Sequence, residues 1–139
     1  MILHAVQSNL NQYLYGSGSW KAVWANRFAL RNTGLPAREI PFDKNDPKAV
    51  LENMTPDIRH VLIEYSKWPD LVVQLKRKYP QVKVHIRTHN AEAYQYFNRA
   101  TGNGLRDYFT WSTWQQCIRI IRQDSRCRGA ANTLLGINE

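Results

Sequence analysis

Short apolar runs alternate with segments of helical periodicity along the first two thirds of the chain. The runs predict buried strands at residues 2–6, 60–65 and 82–88. A run interrupted by two prolines predicts an edge strand at 37–42. Each strand is followed by a helical pattern, so we expect right-handed βαβ units and a parallel sheet with helices on both faces.

The first predicted helix starts at residue 20 and has one apolar side. Gly34 follows its last periodic position and is expected to end it. The residues expected to face the core are Trp20, Val23, Trp24 and Phe28, and those expected to face solvent are Lys21, Asn26, Arg27 and Arg31.

The second half of the pattern is more helical. It predicts a short helix at 91–99, a break at 101–104, helical structure over 105–128 and a last strand at 132–137. Ile118 and Ile121 are expected to face the core. We therefore expect one α/β domain over residues 1–139, a three-layer α/β/α sandwich with a mainly parallel sheet of about five or six strands.

Composition narrows the class of protein. The formal net charge of +8 and the pI near 9.8 favour anionic partners such as phosphates, acidic lipids or nucleic acid. No apolar run is long enough to span a bilayer, and the N-terminus lacks a signal-peptide pattern. We expect a cytoplasmic protein. Cys117 and Cys127 have no metal-ligand spacing and are expected to be reduced thiols.

Three groups of residues lie where parallel strands deliver side chains to a ligand crevice, at their carboxyl ends. Gly16, Ser17 and Gly18 form a turn before the first helix, and the turn either only starts that helix or also approaches a phosphate. It lacks the third glycine of a dinucleotide-binding fingerprint and is not a P-loop. Glu64 ends the third strand and is expected to emerge on the same rim as the residues that follow the fourth.

The fourth strand ends in Arg87, His89, Asn90 and Glu92. Arginine can hold a phosphate or carboxylate, and histidine can exchange a proton near neutral pH. Alternatively, Asn90 caps the next helix, Glu92 occupies its first turn and His89 only packs.

The last predicted helix mixes arginines with Trp111 and Trp114. Such a surface can bind single-stranded nucleic acid or an anionic membrane, although the helical spacing of the aromatic residues favours core packing. The sequence contains no GxSxG, HExxH or Walker motif, and its four histidines are not a convincing ligand set. We expect neither a metal nor another cofactor.

The motif Arg-Thr-His-Asn-Ala-Glu at residues 87–92, the loop at 16–19 and the order of elements resemble the N-terminal half of a GT-B glycosyltransferase of the family-four kind. Residues 126–138 also resemble a helix-to-strand junction of that family, with Asn132 where aspartate is commoner. The resemblance implies one of two Rossmann-like halves that face each other across a cleft.

By this resemblance, His89 lies near the transferred sugar as the catalytic candidate. Gly16, Ser17, Gly18 and Arg87 contact donor or acceptor, as do Glu64, Asn90 and Glu92. The implied partners are a nucleotide-sugar donor and a saccharide or lipid-linked acceptor, with peripheral contact at the inner face of an anionic membrane. Because the principal donor-binding elements of the family are in its C-terminal half, the chain is expected to be inactive alone. The main alternative is a non-enzymatic basic module that binds nucleic acid or another polyanion.

Overall fold

The computed structural model describes residues 1–8, 18–43, 45–88 and 111–135, with backbone only at 18–20, 111–114 and 134–135. Strands and helices alternate along these segments. The strands are β1 (Ile2–Gln7), β2 (Ala37–Phe42), β3 (His60–Glu64), β4 (Lys83–Arg87) and β5 (Thr133–Leu135), and the helices are α1 (Gly18–Asn32), α2 (Lys48–Glu52), α3 (Pro69–Lys78) and α4 (Trp111–Ala130).

The strands form a parallel sheet in the order β2-β1-β3-β4-β5. The prediction of an α/β fold with a parallel sheet is confirmed, and Pro41 lies in the edge strand β2, as its missing N–H group requires. β1 to β4 are five or six residues long. The predicted number of strands is reached only if the three-residue β5 is counted.

The strand register divides the side chains between two faces, because successive residues of a strand point to opposite sides. We call the side that carries Leu3, Val61, Ile63, Val84 and Ile86 the apolar face. All five side chains are at most 1% exposed. The opposite side, which we call the polar face, carries His4, Glu39, His60, Glu64, His85 and Arg87, together with the apolar Val6 and Leu62.

Helix α3 packs on the apolar face through Leu71, Val72 and Leu75, which are buried. Pro69 at its first turn and a basic last turn both favour helix formation at this position. Trp68, just before the helix, packs edge-on against Phe42 with ring centroids 4.7 Å apart. Helix α4 lies beside α3, and Arg126 of α4 pairs with Asp70 at 2.8 Å.

Helix α1 covers the polar face, and its predicted orientation is only partly right: Val23 is buried and Lys21 and Arg31 are exposed as expected, but three other residues are not where they were predicted. Trp24 and Phe28 are 44% and 67% exposed, whereas Asn26, which was expected to face solvent, is 7% exposed. The sheet beneath α1 presents carboxylates, so the helix turns hydrogen-bonding side chains inward. Gly34, with φ +67°, ends the helix as expected.

Helix α4 also differs from its prediction. Ile118 and Ile121 are 44% and 42% exposed, and among the described side chains of the helix those that are buried belong to Cys117 and Cys127, each 0% exposed. Both cysteines are free thiols. Burial raises the pKa of Cys127 to about 12. Helix α4 ends at Ala130, two residues beyond the predicted end of helical structure at residue 128.

The helix predicted at 91–99 and the break at 101–104 lie outside the described residues. Among those that are described, no helix is both long and apolar enough to cross a membrane.

Candidate functional site at the carboxyl edge of the sheet

The central strands β1 and β3 are neighbours whose connections leave in opposite directions. The chain passes from β1 through α1 to β2, and from β3 through α3 to β4 on the other side. In open parallel sheets such a switch point opens a crevice at the carboxyl ends of the strands. Gln7, Glu64 and Arg87 end β1, β3 and β4, so they define what we call the carboxyl edge.

Glu64 is the most buried ionisable residue at this edge, with 0% exposure. Its Oε1 lies 2.6 Å from His4 Nε2 and accepts a hydrogen bond of 2.6 Å from Asn26 Nδ2. A buried carboxylate is costly unless it is paired and hydrogen-bonded, and these contacts meet that requirement. Glu64 therefore lies at the carboxyl edge with its side chain buried among these partners.

His4 lies between two glutamates. Its Nδ1 is 3.3 Å from Glu39 Oε2 and its Nε2 faces Glu64, while the side chain is only 2% exposed. Burial disfavours the protonated ring, but the hydrogen bonds and charges of Glu39 and Glu64 outweigh it and raise the pKa of His4 above 6.5.

Arg27 closes the outer end of this chain of contacts. Its Nε and Nη2 each donate a hydrogen bond of 2.7 Å to one oxygen of Glu39. Burial opposes the ionised form of Glu39, yet His4 and Arg27 lower the pKa of this carboxyl to about 2. Glu39 is therefore a carboxylate at any physiological pH.

Arg87 forms the inner end. Its Nη1 donates to Asn26 Oδ1, so one amide links the guanidinium of β4 to the carboxylate of β3. Within the described part of the chain, the buried Nε of Arg87 has no hydrogen-bond partner, as is also true of Arg38 Nε. A buried unsatisfied donor typically costs about 1–3 kcal/mol. We refer to Arg27, Glu39, His4, Glu64, Asn26 and Arg87 as the polar network.

Tyr65 follows Glu64 with a φ of +77°, the left-handed region that bulky residues rarely adopt. Its amide donates a 2.8 Å hydrogen bond to the carbonyl of Arg87, which ties the ends of β3 and β4 together. Lys67 Nζ lies 4.8 Å from the centre of the Tyr65 ring. Backbone strain of this kind concentrates at functional sites, and here it lies directly at the carboxyl edge.

A second pair of ionisable groups lies on the polar face. His60 Nδ1 and His85 Nε2 are 3.0 Å apart, and the two rings stack with centroids separated by 5.2 Å. Burial, followed by the charges of His60 and Lys83, lowers the pKa of His85. In the described part of the chain, no group of three or more His, Cys, Asp or Glu residues could hold a metal ion.

Two hollows are formed by the described residues, and the lining of the first includes His4 of the polar network. A cavity of about 530 Å³ between α1 and β2 is lined by Trp24, Leu30, Leu35 and the Arg27–Glu39 pair, among others. A groove of about 490 Å³ follows the outer side of α4, where its lining includes Arg119, Arg122 and Arg126.

Of the site residues predicted from the sequence, Glu64 and Arg87 come together through Asn26. Gly18 is the first residue of α1. Gly16, Ser17, His89, Asn90 and Glu92 lie outside the described residues.

Four members of the polar network, His4, Asn26, Arg27 and Glu39, were not predicted from the sequence. One signal was present: two ionisable residues, His4 and Glu64, interrupt apolar strands that become neighbours in the sheet. The helix pattern gave no such signal for Asn26, because its apolar side was assigned from Trp24 and Phe28.

No protein-family model, curated protein or solved structure matched the chain.

Proposed function

We propose that the chain is the acceptor-side domain of a GT-B glycosyltransferase, with a Rossmann-like α/β/α fold. Joined to a donor-binding half, it would transfer a sugar from a nucleotide-sugar donor to a saccharide or lipid-linked acceptor. One observation carries the proposal: the motif at 87–92 begins at the carboxyl end of β4, two strands from β1, and its Arg87 belongs to the polar network at the switch point.

The position of α1 is consistent with phosphate binding by the loop at 16–18. Helix α1 begins at Gly18 and runs back from the carboxyl end of β1. Helix N-termini attract anions through free N–H groups and the helix dipole. In the proposed enzyme, Gly16, Ser17 and Gly18 approach the donor phosphates, and Arg87 supplies a positive charge beside them.

His89 is proposed to lie near the transferred sugar, and Asn90 and Glu92 near the bound ligand. Glu64 acts differently from a ligand-contacting residue, because it is fully buried. Its role in the proposal is to fix Asn26 and, through it, Arg87.

The proposal is tested with the chain and a panel of saccharides and nucleotide sugars, by ligand-observed NMR. We expect saturation transfer to at least one of these ligands, and its loss in Arg87→Gln. In an enzyme completed by a second half, His89→Ala is expected to reduce turnover far more than it reduces stability. Absence of any contact with either ligand class, or equal losses of turnover and stability, would contradict the proposal.

A second candidate function follows from α4. Arg119, Arg122 and Arg126 line one groove on its outer side, and the protein carries a net charge of +8. Such a groove favours a polyanion, either the surface of an anionic membrane beside the proposed enzyme or, in the alternative function, nucleic acid. Tight oligonucleotide binding with a steep salt dependence, combined with no response to sugars, would favour the binding module.

A further inference from the structure

We propose that His4, Glu64 and Asn26 are positioning residues that hold the Arg87 guanidinium at the carboxyl edge for a phosphate group, and that protonation of His4 strengthens this binding. The inference rests on the proposed function, since it assigns the anionic part of the donor to Arg87. It adds two residues, His4 and Asn26, and a dependence on pH.

The first step concerns Arg87 itself. It ends β4 beside the switch point and is half-buried, and a phosphate matches the planar fork of a guanidinium. Its Nη1 is held by Asn26, and among the described residues its buried Nε has no partner. Arg87 is therefore restrained at one end by Asn26, while its side chain stays partly exposed at the edge of the sheet.

The side-chain amide of Asn26 makes one hydrogen bond through its oxygen and another through its nitrogen. Oδ1 accepts from Arg87, and Nδ2 donates to Glu64 at 2.6 Å. A carboxylate at this position would lose the donor, and an apolar side chain would lose both bonds. Since Asn26 is 7% exposed, water cannot readily replace it. The amide thus fixes the distance between the guanidinium and Glu64.

The protonation state of His4 changes the balance of charge around Arg87. When His4 is neutral, the negative charge of Glu64 offsets that of Arg87 nearby. When His4 is protonated, the imidazolium instead offsets Glu64, with which it is in contact at 2.6 Å, and the charge of Arg87 is free to attract an anion. Arg27 and Glu39 already neutralise each other at the outer end.

Among the described residues, the charged groups around His4 lie on three elements. Glu39 lies on β2, Glu64 on β3 and Arg27 on α1. His85 also titrates on the polar face, two residues before Arg87. It is therefore the matched control for any pH dependence assigned to His4.

The experiment measures sulfate binding to the chain by calorimetry at low ionic strength. Sulfate has the shape of phosphate, and its charge does not change across the neutral pH range. Arg87→Gln and Asn26→Leu are each expected to weaken binding by about tenfold, the loss expected for a charged hydrogen bond or its support. Arg77→Gln removes the same charge from an exposed position in the last turn of α3, which packs on the opposite face of the sheet, and is expected to weaken binding by less than about twofold.

The pH profile tests the role of His4. Affinity for sulfate is expected to fall as pH rises from 5.5 to about 8.5, the range in which histidines titrate. His4→Gln should flatten this profile, and His85→Gln should leave it in place. Thermal denaturation identifies variants that do not fold; if Asn26→Leu is one of them, Asn26→Asp replaces it, since it keeps the acceptor for Arg87 and loses the donor to Glu64.

Three outcomes would overturn the inference: sulfate binding that survives Arg87→Gln, an equal loss in Arg77→Gln, or an unchanged pH profile in His4→Gln. The outcome for the proposed function is separate. If sulfate behaves as expected and no sugar or nucleotide sugar binds, the positioning network stands and the glycosyltransferase assignment fails. If a nucleotide sugar binds without any contribution from Arg87, the glycosyltransferase assignment stands and the positioning network fails.

Discussion

On the apolar face, Val61, Ile63, Val84 and Ile86 meet the side chains of α3 without a charged group among them. On the polar face, Glu64 and His4 are buried to the same degree, but they are held by α1 through hydrogen bonds. Hydrophobic burial depends mainly on area and is non-directional, whereas a buried ion pair depends on the position and protonation of each atom.

The two faces should therefore respond to different changes. The apolar face should be sensitive to lost volume and tolerant of a change in shape. The polar face should be sensitive to the loss of a single charge at constant shape, and its stability should depend on pH.

The largest effect is expected from Leu75→Ala on the apolar face. Leu75 is 0% exposed in α3, and truncation of such a residue typically costs about 2–5 kcal/mol of the free energy of unfolding through lost contacts and the cavity left behind. Chemical denaturation measures it. A loss below about 1 kcal/mol would mean that this face is loosely packed.

A smaller loss is expected from Glu64→Gln, which keeps the shape of the side chain and removes its charge. Hydrogen bonds to charged groups contribute about 1.5–3 kcal/mol, so we expect a loss of that size. The matched control is Leu75→Met, a nearly volume-conserving change that should cost less than about 1.5 kcal/mol. If Glu64→Gln is neutral in urea denaturation, the carboxylate does not stabilise the polar face.

The third prediction concerns the direction in which stability changes with pH. The pKa of His4 is raised above 6.5, so its contribution to stability is full below that pH and is lost as pH rises through the folded pKa. The pKa of His85 is lowered from 6.5, so its contribution is full above that pH and is lost as pH falls through the folded pKa. The two histidines of the polar face thus oppose each other.

We compare how the free energy of unfolding changes between about pH 5.5 and about pH 8. In His4→Gln it should rise more with pH than in the wild type, because a contribution that falls with pH has been removed. In His85→Gln it should rise less than in the wild type, because a contribution that rises with pH has been removed. The measurement is a series of denaturation curves across this range. Changes of the same sign in both variants would contradict the described surroundings of one histidine.

The sheet was accessible to sequence analysis because its strands are short apolar runs bounded by prolines and glycines. Pro41 marked the edge strand, and Gly34 marked the end of α1. Four residues of α1 and α4 were predicted wrongly for one shared reason: Trp24, Phe28, Ile118 and Ile121 were expected to be buried by their hydrophobicity, yet all four are more than 40% exposed. Helical periodicity does not show whether the surface that a helix covers is polar or apolar, and so it does not show which side of the helix is buried.

The candidate site was predicted in part. Its location at the ends of β3 and β4 follows from the rule for parallel sheets, and Glu64 and Arg87 were identified on that basis. The way in which Glu64 and Arg87 are joined was not predicted, because it depends on Asn26. That residue is 38 positions from Glu64 and lies on a different element. The left-handed conformation of Tyr65 could not be predicted, because glycine is the residue that marks such a position in a sequence and tyrosine does not.

The two cysteines have a practical consequence. Both are fully buried, the chain has no others, and the thiol of Cys127 stays protonated at neutral pH. The folded protein should therefore react very slowly with maleimide reagents, so a cysteine introduced at an exposed position can carry a fluorophore without prior removal of the native ones. Residual labelling of Cys117 and Cys127 then reports how often the region around α4 opens.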